Sequence, residues 1–174
     1  MSWNNDNIPE IDFDYDDTEF KNTMASIAAV LDKNDFGDGG ARLRAMSARA
    51  SVAGERAVNQ AAEETVTEVR NLMKERQYRQ SSYHPGVRAF DRKVNNQRMV
   101  NGLKDHVKGH QHRIYTDTTN HGYNYSQAFE FGLLTKNYPA HHPFQDAANH
   151  LGLNQINGDI DQRIDDALRE GFNG

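Results

Sequence analysis

From Ala41 to Gln77 the chain carries one helical stripe without a proline. Leu43, Met46, Ala50, Ala53, Ala57, Ala61, Ala62, Val66, Val69 and Met73 recur at spacings of three and four. At 1.5 Å per residue such a helix spans about 55 Å, more than the rest of a 174-residue chain can easily cover. Half of the stripe is alanine, which lets another backbone approach closely but buries little area per residue. Gly54 interrupts it at a cost of about 1 kcal/mol relative to alanine, so a gentle bend or a frayed first half is expected there.

The rest of the chain cannot supply a thick core around that helix. Leu, Ile, Val and Phe make up 33 of the 174 residues, close to the roughly 20% at which disorder threatens when the net charge is large. Here the net charge is only −5, so the expectation is a folded chain whose thin core is completed by partner surfaces. With no cysteine, a disulfide scaffold, a thiol nucleophile and Cys-ligated zinc are excluded. No apolar run approaches the ~18 residues of a membrane span. Met1–Ile11 lacks the basic-then-apolar layout of a signal peptide.

Charge lies in blocks. Residues 1–20 hold seven acids and no base, whereas residues 70–113 hold eleven bases against three acids. Apolar residues alternate with acids in the first block, as either a disordered lead-in or a strand that docks on a partner. In the docked form Asp12, Asp14 and Asp16 would meet Arg79, Arg88, Arg92 and Lys93 of a neighbouring copy, opposite charges setting the register.

Between these landmarks the pattern changes period. Phe20, Met24, Ile27, Ala28 and Leu31 mark one helical face over Asp17–Asp32, with Asp17 or Thr18 as its cap. The run 34–40 is a turn-rich linker. Short strands are expected over 87–94, 103–108 and 112–118, with Asn101-Gly102 as a hairpin turn. Residues 123–132 fit either period. Residues 133–143 read as a loop, and Pro143 starts a short helix ending before Gly152. Ile156, Ile160, Ile164 and Leu168 then march at steps of four, with Phe172 one step on, as a terminal amphipathic helix. The fold class expected is α+β: the long alanine-rich helix and the terminal helix packed on a small, mainly antiparallel sheet. It divides into an extended acidic arm over 1–17 and a single domain over 18–174.

Tests for chemistry return little. His106, His110 and His112 invite a metal, but Gly109 interrupts any continuous element through all three, and they read as surface or interface histidines. His141-His142 are adjacent and point apart. Residues 37–40 lack the Lys and Ser/Thr of a phosphate loop, and no serine sits in a nucleophile elbow. Glu63-Glu64 and Asp165-Asp166 read as solvated helix faces. Glu130, between two phenylalanines, reads as a buried hydrogen-bond anchor in preference to a tuned acid. The expectation is a protein that is not an enzyme and carries no cofactor and no metal.

The last third has a recognisable order: Tyr125-Ser-Gln-Ala128-Phe129-Glu130-Phe131-Gly132, a loop, Pro143-Phe144 with Ala147 three residues on, and a closing helix. With the Gly102-Leu103 turn upstream, it resembles the tail-component family of tailed bacteriophages: small head–tail joining, tail-completion or tail-terminator-like proteins. The resemblance spans roughly residues 18–172. It implies a structural virion protein of the head–tail junction that assembles with itself as a ring, taken as a hexamer. Such a ring would join the head-closure or connector protein to the tail tube protein. DNA could pass through its channel without sequence-specific contact, and no membrane is involved. Phe129, Phe131 and Phe144 are expected to pack under the sheet. The alternative is a small nucleic-acid-binding or DNA-packaging accessory protein that uses residues 70–113, where Tyr78, Tyr83 and Phe90 interleave with bases.

Overall fold

The structure is a computed structural model describing residues 8–77, 99–120, 123–132 and 140–173, and statements of absence below concern those residues. The strand expected over 87–94 lies outside them, as do Arg79, Arg88, Arg92 and Lys93. The fold is α+β: mostly helical, with one small three-stranded antiparallel sheet. It groups into two compact units. One comprises residues up to Phe13, 62–108 and 112–152; the other comprises 14–61, 109–111 and 153–174.

The second unit begins with a helical hairpin. Helix α1 (Thr18–Lys33) opens where Asp16 Oδ1 accepts the Thr18 amide at 2.9 Å, and Asp17 pairs with Lys21 at 2.9 Å. Its apolar face holds Phe20, Met24, Ala28 and Leu31, with Ala28 fully buried. A turn containing Asp35 and Gly37, both at positive φ, leads to helix α2 (Gly39–Gln77). The hairpin is tight at its closed end, where a Cβ on Gly40 would lie 2.8 Å from the Ala28 carbonyl. Across the same turn Arg44 bonds Asp32 at 2.9 Å.

Helix α2 is continuous over 39 residues, about 58 Å. It does not fray at Gly54, because the glycine is a packing site: the Tyr15 ring lies where a Cβ would project. The hairpin nevertheless leaves large apolar side chains in water: Ile27, Val30 and Val52 are about half exposed, and Phe36 is 64% exposed.

The first unit holds the sheet. Strand β1 (Glu10–Phe13) pairs antiparallel with β3 (Gln111–Thr116), Ile11 opposite Ile114 and Phe13 opposite His112. Strand β2 (Leu103–Lys108) lies on the other side of β3, giving the order β1-β3-β2. The acidic arm thus contributes an edge strand to its own chain's sheet. The hairpin turn is Gly109-His110, with Gly109 at φ 64°; Asn101-Gly102 instead closes the turn before β2, where the Gly102 amide reaches the Met99 carbonyl at 3.1 Å. A two-stranded ribbon follows, β4 (Thr119–Asn120) with β5 (Tyr123–Asn124).

Residues 125–131 resolve their double periodicity as helix α3 (Tyr125–Phe131). Helix α4 (Pro143–Leu151) starts at Pro143 as expected, and Gly152, at φ 58°, separates it from the terminal helix α5 (Leu153–Asn173). The core of this unit joins the C-terminal part of α2 (Ala62, Val69, Leu72, Met73) to Met99, Val100, Ile114, Phe129, Phe144 and Ala147, with Ile11, Phe13, Val66 and Leu103 at its edges. In the second unit, Ile160, Ile164 and Leu168 of α5 are half-buried along one line of that helix.

Candidate functional site at the α3–α4 junction

The motif residues of the last third meet at one place. Ser126, early in α3, donates its hydroxyl to the Thr116 carbonyl at 2.7 Å and so ties the helix to the end of β3. Ala128 and Phe129 are buried, and Gly132 ends the helix at φ 74°, its amide bonding the Ala128 carbonyl at 2.8 Å. The chain returns alongside: the amides of His141 and His142 donate to the carbonyls of Phe129 (2.9 Å) and Glu130 (3.3 Å). The His141 ring stacks on Phe129 with centroids 4.5 Å apart.

Glu130 is the anchor of this junction. Its Oε2 accepts the Phe144 amide and its Oε1 the Gln145 amide, each at 3.0 Å. The first amides of a helix have no partner within it. His142, the residue before α4, stands at φ 47° and makes no side-chain capping bond. A carboxylate from α3 therefore does what a local cap would do, and its negative charge faces the positive end of the α4 dipole. Burial pushes the Glu130 carboxyl above its ordinary range, while the two amides and nearby His142 pull the other way. Pro143 and Ala147 are fully buried beside it and Phe144 nearly so. At the C-terminal end of α2, Arg76 bonds the His141 carbonyl and pairs with Asp146 at 2.6 Å.

One expectation fails here. Phe131 is 56% exposed, so it does not pack under the sheet with Phe129 and Phe144. Residues two apart stand about 200° apart around a helix, so burying Phe129 turns Phe131 outward. Leu103 is half-buried at the core edge, and Gly102 sits where a Cβ would meet the Thr118 hydroxyl. Tyr125 begins α3.

The arm residues separate. Asp12 Oδ1 accepts from Arg113 Nε at 3.1 Å within the same chain, Asp16 accepts the Thr18 amide just ahead of the cap residue Asp17, and Asp14 is exposed. On the opposite strand, Lys104 pairs with Asp117 at 2.8 Å and lies 5.5 Å from the Tyr115 ring centroid.

The three central histidines occupy three environments. His112 is buried on the inner face of the sheet, with Nδ1 2.8 Å from Asp105 Oδ2. His106, one position along from Asp105 on β2, takes the other face and is exposed. His110, in the turn, is 3.7 Å from Glu55 and edge-on to Tyr15. Among the described residues no group of three or more His, Asp or Glu is arranged to hold a metal ion, and no helix is long and apolar enough to cross a membrane. Sequence reasoning missed Arg76–Asp146 and Asp105–His112. The first pair is 70 positions apart, and nothing in the pattern connects its members. The second could be found only once the hairpin turn is placed at Gly109-His110.

No protein-family model, no curated protein and no solved structure matches the chain.

Proposed function

We propose that the chain is a structural protein of the bacteriophage head–tail interface, a tail-completion, tail-terminator or neck component. In this reading it assembles with itself into a ring between the connector and the tail tube. The observation that carries the reading is the convergence of Phe129, Glu130, Gly132, Pro143, Phe144 and Ala147 on one buried junction. The residue order behind the resemblance is also a packed, hydrogen-bonded unit, which supports the reading. Assembly draws support from the apolar side chains left in water at Ile27, Val30, Phe36 and Phe131, which a neighbouring surface would cover.

The test is the state of the purified full chain. Mass photometry is expected to show a discrete oligomer, and negative-stain images annuli with a central hole. A heparin or DNA column is expected to release the protein at moderate salt. A strictly monomeric chain that holds DNA with a steep salt dependence would instead identify a nucleic-acid accessory protein acting through residues 70–113.

A further inference from the structure

The sheet has two edges of opposite charge on one face. Strands β1 and β2 flank β3 and, among the described residues, neither has a second partner strand. Asp105 reaches His112 on the inner face, so strand alternation puts Lys104, His106 and Lys108 on the outer face. That face also carries Glu10 and Asp12, since Asp12 bonds Arg113 and Glu10 pairs with it at 3.7 Å, Arg113 being the β3 residue next to inward-facing His112. The outer face therefore runs from acidic at β1, through Arg113, to basic at β2. At the β2 edge of the inner face, Val107 is 53% exposed, whereas Ile11 and Phe13 at the β1 edge are half-buried apolar residues.

We infer that β2 of one copy pairs with β1 of the next, so that the sheet continues from subunit to subunit. This rests on the ring reading above and names its contact. Both strands run antiparallel to β3 and hence parallel to each other, so repeating one operation sets β2 beside the neighbour's β1 in parallel. The basic edge then faces the acidic edge on the outer side. Val107 is covered by the neighbour's Ile11 and Phe13 on the inner side. The unpaired backbone groups of both edges are also satisfied. The contact uses two different patches, so it closes into a ring where the rotation permits and otherwise grows as a filament.

Two variants of the full chain test this. Glu10→Lys, with Asp14→Lys at the exposed residue that follows β1, reverses the charge at this edge while leaving the Asp12–Arg113 pair. His106→Glu with Lys108→Glu reverses the β2 edge while leaving Lys104–Asp117. Each alone is expected to raise the concentration for half-assembly at least about tenfold, with a far-UV spectrum and melt close to the parent's. Mixed, the two reversed edges again oppose each other with complementary charge, as do the two unaltered ones. The variants are therefore expected to co-assemble as an alternating 1:1 oligomer that neither forms alone, a product that general destabilisation would not give. If both variants still form the parent's annuli, the edge contact is overturned and the ring stands on another surface. If the lysines merely guard an edge against aggregation, the β2 variant will assemble more readily than the parent, which also overturns it. If the parent forms filaments lost in both variants, the edge contact holds and the ring reading fails. A parent that stays monomeric overturns both.

Discussion

The α3–α4 junction and the α1–α2 hairpin are built from opposite materials. At the junction, phenylalanines and a proline are buried, and a carboxylate, two histidine amides and an arginine join segments far apart in the chain. In the hairpin, alanine and glycine set a close approach at Ala28 and Gly40, while Ile27, Val30, Val52 and Phe36 face water. The contrast teaches where each part obtains its stability. The junction is held by long-range packing that only the folded chain supplies. The hairpin relies on helix propensity, caps and local ion pairs, and its unburied apolar area is left for other surfaces.

The most severe way to break the junction is to empty its core. Phe144→Ala is expected to destabilise the protein by about 3–5 kcal/mol, read from denaturant or thermal unfolding. Phe129→Ala belongs in the same range, whereas Phe131→Ala should cost under about 1 kcal/mol. Equal losses at the two positions would contradict the outward turn of Phe131.

Removing Glu130 probes the polar half of the same contrast. Glu130→Ala leaves the buried Phe144 amide and the part-buried Gln145 amide without their acceptor, for an expected loss of about 2–4 kcal/mol. Glu130→Gln, which turns one acceptor into a donor, should fall below that but remain measurable by the same melts. At an exposed helix carboxylate such as Glu63, the change to Gln should leave the melting temperature nearly unmoved.

In the hairpin the sharpest probe is Gly54. Alanine there gains about 1 kcal/mol of helix propensity but collides with the Tyr15 ring. Gly54→Ala alone is therefore expected to destabilise. In a Tyr15→Ser background the same change should stabilise by up to about 1 kcal/mol, a sign reversal that a double-mutant cycle reads directly. Without the reversal, Gly54 would not be a packing site.

Acid should separate the two regions by the smallest margin. In the hairpin unit, hydrogen bonds from Thr18 and Arg42 hold Asp16 and Asp38 below their ordinary range, and Lys21 does the same for Asp17 against the effect of burial. Their contribution is present above the ordinary aspartate value of about 3.9 and is lost as pH falls through the lowered values. Glu130 lies above its ordinary range, so its contribution is full below about pH 4.3 and is lost as pH rises through its raised value. Melting temperatures of the parent and Glu130→Gln, followed from pH 3 to 7, should therefore draw apart toward low pH. Asp17→Asn should show its difference from the parent near neutrality and lose it in acid.

The elements whose reasons are local were readable without coordinates. The helix over Ala41–Gln77 follows from its spacing, the start of α4 from Pro143, and the length of β2 from its bounding turns. Those features depend on dihedral preferences and periodicity within a few residues, which a linear string carries in full. Residues 123–132 fitted two periods because their aromatic spacing satisfies both, and only the core, by taking Phe129 and leaving Phe131, chose the helix. Tertiary structure alone likewise decided that the arm pairs with β3, that Glu130 caps another helix and that Gly54 accommodates Tyr15. Each of those joins positions that approach only after the chain has collapsed. Their energy comes from burial and charge pairing across long separations, for which a single sequence holds no periodic signal.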